Sequence, residues 1–281
     1  AYEIRLSLVG SEMCIRDRPS ATVNWITSTS VGKISIKGDT RVLTVLGEWS
    51  GANAAVTVTS GNGFNLEIDL NSGQTVTCNT DIRMRNISIV AGTLAMAGAN
   101  NIYVDQNSGG VGSFSVASAG SLNMGSGTIQ RTVNASATNH FASFTSNGTI
   151  NFTTVTTANV LAAGTTTLNG TVNYNAAGAQ TFVVRGALNT AASVPSTYNN
   201  IAVSGSGIKT LGSATTINGN LTIWAGTLAD GAFLLTGPGV SSGKTLNMSA
   251  GVATVLTLTN TSANPFPAFQ SYTLNTSFST V

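Results

Sequence analysis

From Trp25 onward, apolar residues return at every second position in short bursts, and Gly, Ser, Asn and Asp fill the gaps between them. Ile34-Ser35-Ile36, Leu66-Glu67-Ile68-Asp69-Leu70, Val76-Thr77-Cys78, Ile82-Arg83-Met84, Ile87-Ser88-Ile89, Ile102-Tyr103-Val104 and Leu122-Asn123-Met124 are examples. Alternation of this kind predicts strands with one buried face. Turn-rich gaps at regular spacing predict an all-β fold. After Pro19 no stretch carries the 3.6-residue period of a helix.

Two repetitions choose among the all-β architectures. The stretch Asn65 to Leu94 returns at Asn200 to Leu228. Leu66, Ile68, Val76 and Ile82 meet Ile201, Val203, Leu211 and Ile217 at a constant offset of 135, and after one deletion Ile87, Ile89 and Gly92 meet Leu221, Ile223 and Gly226. All these aliphatics are expected to point inward, with Asn86 and Asn220 at equivalent corners. A shorter phrase also recurs, as Gly92-Thr93-Leu94-Ala95-Met96, Gly120-Ser121-Leu122-Asn123-Met124, Gly148-Thr149-Ile150-Asn151-Phe152, Gly170-Thr171-Val172-Asn173-Tyr174 and Lys244-Thr245-Leu246-Asn247-Met248. The strands are short, and the Asn-Gly and Asp-Gly hairpin signals of a meander are few. Strand-based repeats of twenty to fifty residues point to a solenoid, here a right-handed parallel β-helix, open at its C-terminal end. A single coil loses more backbone entropy than its few inward aliphatics return, so each coil needs its neighbours. The strands at Leu94, Leu122, Ile150 and Val172 should then form one parallel ladder. Asn123, Asn151 and Asn173 should face outward in a row, an amide ladder of the kind stacked strands support.

Composition agrees with a folded chain. It is 42% hydrophobic and only 8% charged, with 31 Gly and 5 Pro, which is too apolar for disorder. A net charge of +2 with scattered bases offers no footprint for nucleic acid, and no apolar run is long enough for a spanning helix. The first eighteen residues differ. Glu3, Glu12, Asp17, Arg5, Arg16 and Arg18 crowd there, and Val9 to Asp17 reads as the translation of GTG GGC TCG GAG ATG TGT ATA AGA GAC, which resembles a sequencing adapter. Residues 1–18 are therefore expected to lie outside the fold and residues 19–281 to form one β-solenoid domain, a fragment that stops in mid-coil. With Cys14 set aside, Cys78 stands alone and no disulfide is inferred.

The text from Gly170 to Leu228, GTVNYNAAGAQTFVV followed by TYNNIAVSGSGIKTLGSATTINGNLTIWAGTL, resembles the repeat unit of very large β-helical surface and secreted proteins of gliding and marine bacteria, commonly exported by type IX secretion. That resemblance implies an adhesin-like or matrix role at the cell surface or outside the cell. It brings no catalytic motif. Surface polysaccharide and the rest of a longer chain are the partners it implies.

Candidate chemistry is sparse. Glu67 and Asp69 should point outward together from one strand, and Arg83 and Arg85 from a later one; carboxylate pairs serve glycoside cleavage, but outward charges are also ordinary strand surface that discourages edge pairing. Trp224 should face out, where an indole can stack on a sugar ring, although its counterpart in the first copy is Val90. His140 lacks a nucleophile motif nearby. Asp105 to Gly109 opens like a calcium loop but meets Val116 where the bidentate Glu belongs. The Thr pairs at 57/59, 75/77 and 257/259 raise ice binding, yet they do not fall at one fixed period. The leading expectation is a non-enzymatic, extracellular, adhesin-like module without cofactor or metal. A polysaccharide-degrading or carbohydrate-binding protein is the alternative, with Trp224, Glu67, Asp69, Arg83 and Arg85 as weak carbohydrate contacts.

Overall fold

A computed structural model describes residues 33–43, 49–50, 65–104, 112–131, 140–154, 159–184, 196–249, 253–262, 265–274 and 279–280. The proposed exclusion of residues 1–18, the calcium-like loop at 105–109 and the Thr pair at 57/59 lie outside them. Within them the chain is all-β, and every strand pairing is parallel.

Three ladders carry most of the described strands, and the chain visits them in the same order on successive passes; Asn159–Val160 and Val183–Val184 pair separately. The first contains Lys33–Gly38, Asn65–Leu70, the opening half of Asn86–Met96, the opening half of Ser113–Met124, Phe141–Ser146 and Ala163–Leu168. It continues through a hydrogen bond from Asn199 N to Leu168 O into Thr197–Tyr198, Thr215–Ile217 and Leu235–Thr236. The second runs without a break from Arg41–Leu43 through Thr75–Cys78, the closing halves of Asn86–Met96 and Ser113–Met124, Thr149–Phe152, Thr171–Tyr174, Asn200–Val203, Leu221–Ile223 and Thr245–Met248 to Ser271–Thr273. The third holds Trp49–Ser50, Ile82–Met84, Ile102–Val104 and Ile129–Gln130, and later Gln180–Thr181, Ile208–Thr210, Gly226–Ala229, Thr254–Thr257 and Ser279–Thr280. Parallel strands revisited in fixed order are compatible with a β-solenoid.

The expected ladder is present: Leu94 pairs with Leu122, Leu122 with Ile150, and Ile150 with Val172, after which Ile201, Leu221 and Leu246 follow in register. These side chains are buried and stack along the sheet. Apolar residues of all three ladders merge into one core, and an aromatic file runs through it. Phe152 stacks on Tyr174 with centroids 5.4 Å apart, and Tyr174 on Phe182 at 3.9 Å. Tyr174 and Tyr198 also bring their hydroxyls to 3.3 Å, which gives each buried phenol a polar partner.

Glycines explain why the phrase opens as it does. Gly148 lies over Gly120, and Gly170 over Gly148, so closely that a Cβ would stand 2.2 and 1.9 Å from the carbonyl oxygens of Gly120 and Gly148. Only a residue without a side chain fits there. Gly92 and Gly226, matched by the long repeat, share a positive φ of 75° and 76° at the bend between two short strand runs.

The long repeat departs from expectation in one respect. Leu66, Ile68, Val76, Ile82, Ile87 and Ile89 are buried, as are their counterparts Ile201, Val203, Leu211, Ile217, Leu221 and Ile223. But Ile201 belongs to the ladder of Val76 and Leu94, whereas Leu66 pairs with Ile34 and Ile87 in the other ladder. The second copy is shifted by one ladder. Asn86 and Asn220 therefore occupy different corners, although their chemistry is the same: Asn86 Oδ1 accepts from Ser113 N at 2.8 Å, and Asn220 Oδ1 from Thr245 N at 2.9 Å. The repeated text encodes a local bend and an inward pattern, and both survive rotation onto another face.

Candidate functional site

The five singled-out residues do not converge. Glu67 and Asp69 project outward from the first ladder, as expected, and face lysines on the neighbouring strand. Lys33 Nζ lies 2.7 Å from Glu67, Lys37 Nζ lies 3.3 Å from Asp69, and Ser35 Oγ donates to Glu67 at 2.8 Å. Burial opposes ionisation of Glu67, but the hydrogen bonds from Lys33 and Ser35 and the charges of Lys33 and Lys37 outweigh it and hold the carboxyl below its usual range. A carboxylate held ionised in this way is poorly suited to act as a general acid.

Arg83 sits on the third ladder and is not the solvated charge that alternation implied. Its side chain is only 11% exposed, because the guanidinium lies 3.8 Å over the ring of Tyr103, its partner on the adjacent strand, with Asp81 at 3.9 Å. Arg85 is half-buried in the turn before Asn86–Met96. Trp224 faces out with 52% exposure. It flanks the second ladder far along the chain from the charged strands. The two carboxylates and Arg83 thus occupy different ladders and build no shared groove.

His140 brings its Nδ1 to 3.2 Å from Phe141 O and packs over Gly164, where a Cβ would meet the ring at 2.9 Å. It is a packing residue. Cys78 is buried, and desolvation pushes its thiol up to about 12. No group of three or more His, Cys, Asp or Glu side chains among the described residues could hold a metal ion.

Two buried charges escaped the sequence pattern. Lys209 occupies an inward position with 0% exposure, and its ammonium donates to three carbonyl oxygens, of Ala176 at 2.8 Å, Gly178 at 2.9 Å and Ser206 at 2.7 Å. All three of its protons are satisfied. Asp230 accepts from Thr259 Oγ1 and Thr259 N at 2.7 Å, Asn260 N at 2.8 Å and Ala232 N at 3.0 Å. Burial opposes its ionisation, yet these bonds prevail and keep the carboxyl below its ordinary range. Both charges tie bends of neighbouring passes together. Period two does not mark Lys209, which reads as outward beside Ile208.

The second ladder arranges its outward residues in two columns. Thr75, Thr93, Ser121, Thr149 and Thr171 follow one another in register, although they are irregularly spaced in sequence. Of the described Thr pairs only 75/77 lies on this ladder, since Thr257 pairs with Ala229 on the third; the rest of the column is built from other residues, and the bends absorb the differences in pass length. Asn123, Asn151 and Asn173 form the second column as expected, with Asn151 Nδ2 donating to Asn123 Oδ1 at 2.6 Å and Asn173 Nδ2 to Asn151 Oδ1 at 3.2 Å.

Among the described residues no helix is long and apolar enough to cross a membrane. Compared with known proteins, the chain matches no family model, no curated protein and no solved structure.

Proposed function

We propose that this chain is a non-enzymatic, extracellular, adhesin-like module, a right-handed parallel β-helix whose work is to extend a surface and present it. Strand–connection–parallel-strand units are right-handed in nearly all known sheets, which favours that hand for the coil. The observation that carries the reading is the second ladder. Its described pairings continue in register from Arg41–Leu43 to Ser271–Thr273, an apolar stack lies beneath them from Val76 to Met248, and its outward columns from Thr75 to Thr273 are neutral. Such a column is a spacer with a repetitive face. Separation of Glu67 and Asp69 from Arg83 speaks against polysaccharide cleavage at these residues.

Beads coated with the purified chain test the reading against immobilised surface polysaccharides, beside a reducing-end assay on the same polymers. Attachment without release of reducing ends is expected. Release of reducing ends would replace the reading by the enzymatic one. The in-register hydroxyl column from Thr75 to Thr171 favours ice as a second class of surface, and the corresponding measurement is thermal hysteresis, which Thr149→Lys in mid-column should abolish if ice is bound there.

A further inference from the structure

Where the first ladder turns into the second, four consecutive passes carry the same triplet: Thr145-Ser146-Asn147, Thr167-Leu168-Asn169, Thr197-Tyr198-Asn199 and Thr216-Ile217-Asn218. The register is uniform. Asn169 N donates to Ser146 O, Asn199 N to Leu168 O and Asn218 N to Tyr198 O, each at 2.8 Å. Threonines and asparagines are thereby brought into two outward files, one strand spacing of about 4.8 Å per step.

Along the passes of Thr167, Thr197 and Thr216 lies a cleft of ≈ 330 Å³, lined by Thr167, Asn169, Thr197, Asn199 and Asn218, with Leu168 and Tyr198 also in its wall. That volume falls at the small end of the range for small-molecule sites, about 300–1,000 Å³. Its polar groups hold unused capacity. Asn169 spends its Nδ2 on Asn147 Oδ1 at 3.0 Å and Asn199 its Nδ2 on Asn169 O at 2.6 Å, which leaves both Oδ1 atoms as acceptors, while the Asn218 side chain has no hydrogen bond among the described residues.

We propose that this cleft binds a neutral carbohydrate, one or two sugar units deep, through amides and hydroxyls of the Thr-x-Asn strip; the proposal rests on the adhesin-like reading and assigns it a ligand class. Amides and hydroxyls offer donors and acceptors side by side, which is what vicinal sugar hydroxyls require. The lining contains no ionised side chain to select a phosphate, sulfate or uronate, and no broad apolar wall to select a lipid. Exposed Asn218 and Thr197 form the rim, and the inward side chains of Leu168 and Tyr198 lie beneath.

Titration calorimetry of the full chain with glucose, galactose, mannose, N-acetylglucosamine and their disaccharides tests this, at low and at high salt. Saturable binding to at least one of them is expected, unchanged by salt because neither the cleft lining nor the sugar is charged. Asn218→Ala and Thr197→Val should each weaken it about tenfold, the size of one lost hydrogen bond, whereas Thr222→Val on the second ladder should not. Both cleft residues are exposed, so these variants fold. The proposal is overturned by no saturation with any of these sugars, by saturation that neither cleft variant weakens, or by binding confined to anionic sugars such as glucuronate. If beads still attach to polysaccharide in that event, the cleft assignment falls and the adhesin-like reading stands; cleft binding without bead attachment gives the reverse.

Discussion

At the scale of single residues, the buried charges dominate. Asp230 has a carboxyl pKa below its unfolded value, so between the two values the unfolded chain binds the extra proton. Its contribution is present above the ordinary carboxylate range and is lost as pH falls through the folded value. Urea unfolding as a function of pH should therefore show stability falling below about pH 4, and Asp230→Asn should flatten that slope while costing about 1–3 kcal/mol at neutral pH. Lys209 resists simple replacement for another reason. Lys209→Ala strands three carbonyls in a closed bend and should cost about 2–4 kcal/mol by the same measurement, with Lys209→Met no better, since a thioether cannot donate. Cys78, buried and with its thiol at about 12, should resist iodoacetamide in the native chain and label only on unfolding, as peptide mass spectrometry would show.

At the scale of the strand, a neighbour on each side decides which residue is admissible. The glycine column illustrates it: Gly148→Ala would drive a Cβ to 2.2 Å from Gly120 O, so the strands must part or the bend must move. A loss of more than about 2 kcal/mol is expected from calorimetric melting. Asn151 shares two amide bonds with Asn123 and Asn173, and Asn151→Ala should cost about 1 kcal/mol, whereas the same change at Asn247, next to Thr222 and Thr273, should cost less. The amide column was legible because the recurring phrase places asparagine at a fixed offset from an inward aliphatic, whereas the close approach of the glycines is seen only in the structure. Lys209 was not legible. By period two it reads as an outward residue beside Ile208, yet Ile208 is the exposed one.

Across the whole molecule, bends take up what the ladders refuse. Leu94 to Leu122 spans 28 positions, Ile150 to Val172 spans 22 and Ile201 to Leu221 spans 20, and all six sit in one register. Inserting Gly-Ser between Val240 and Ser241, an exposed turn, should accordingly shift Tm little, while Leu122→Asp in the central stack should unfold the neighbouring passes together, since each depends on the next for its lid. Hydrogen exchange resolved by peptide would check both outcomes.

From the sequence alone came the inward aliphatics of the repeated phrases, the shortness of the strands, and the side-by-side placing of successive Gly-Thr-aliphatic-Asn phrases, though not the inward Lys209. These properties are local or nearest-neighbour: a period of two orients each side chain, and identical phrases match best when stacked. Only the tertiary structure decided which ladder each copy of the long repeat joins, because a bend that reads the same can turn the chain at any corner. It alone placed Arg83 over Tyr103, Lys209 among three carbonyls and the Thr-x-Asn triplets around one cleft. Arg83 and Tyr103 are 20 positions apart, and Lys209 lies 31 and 33 positions from Gly178 and Ala176, across bends of unequal length. Their pairing depends on the register of whole passes, which no short window of sequence contains.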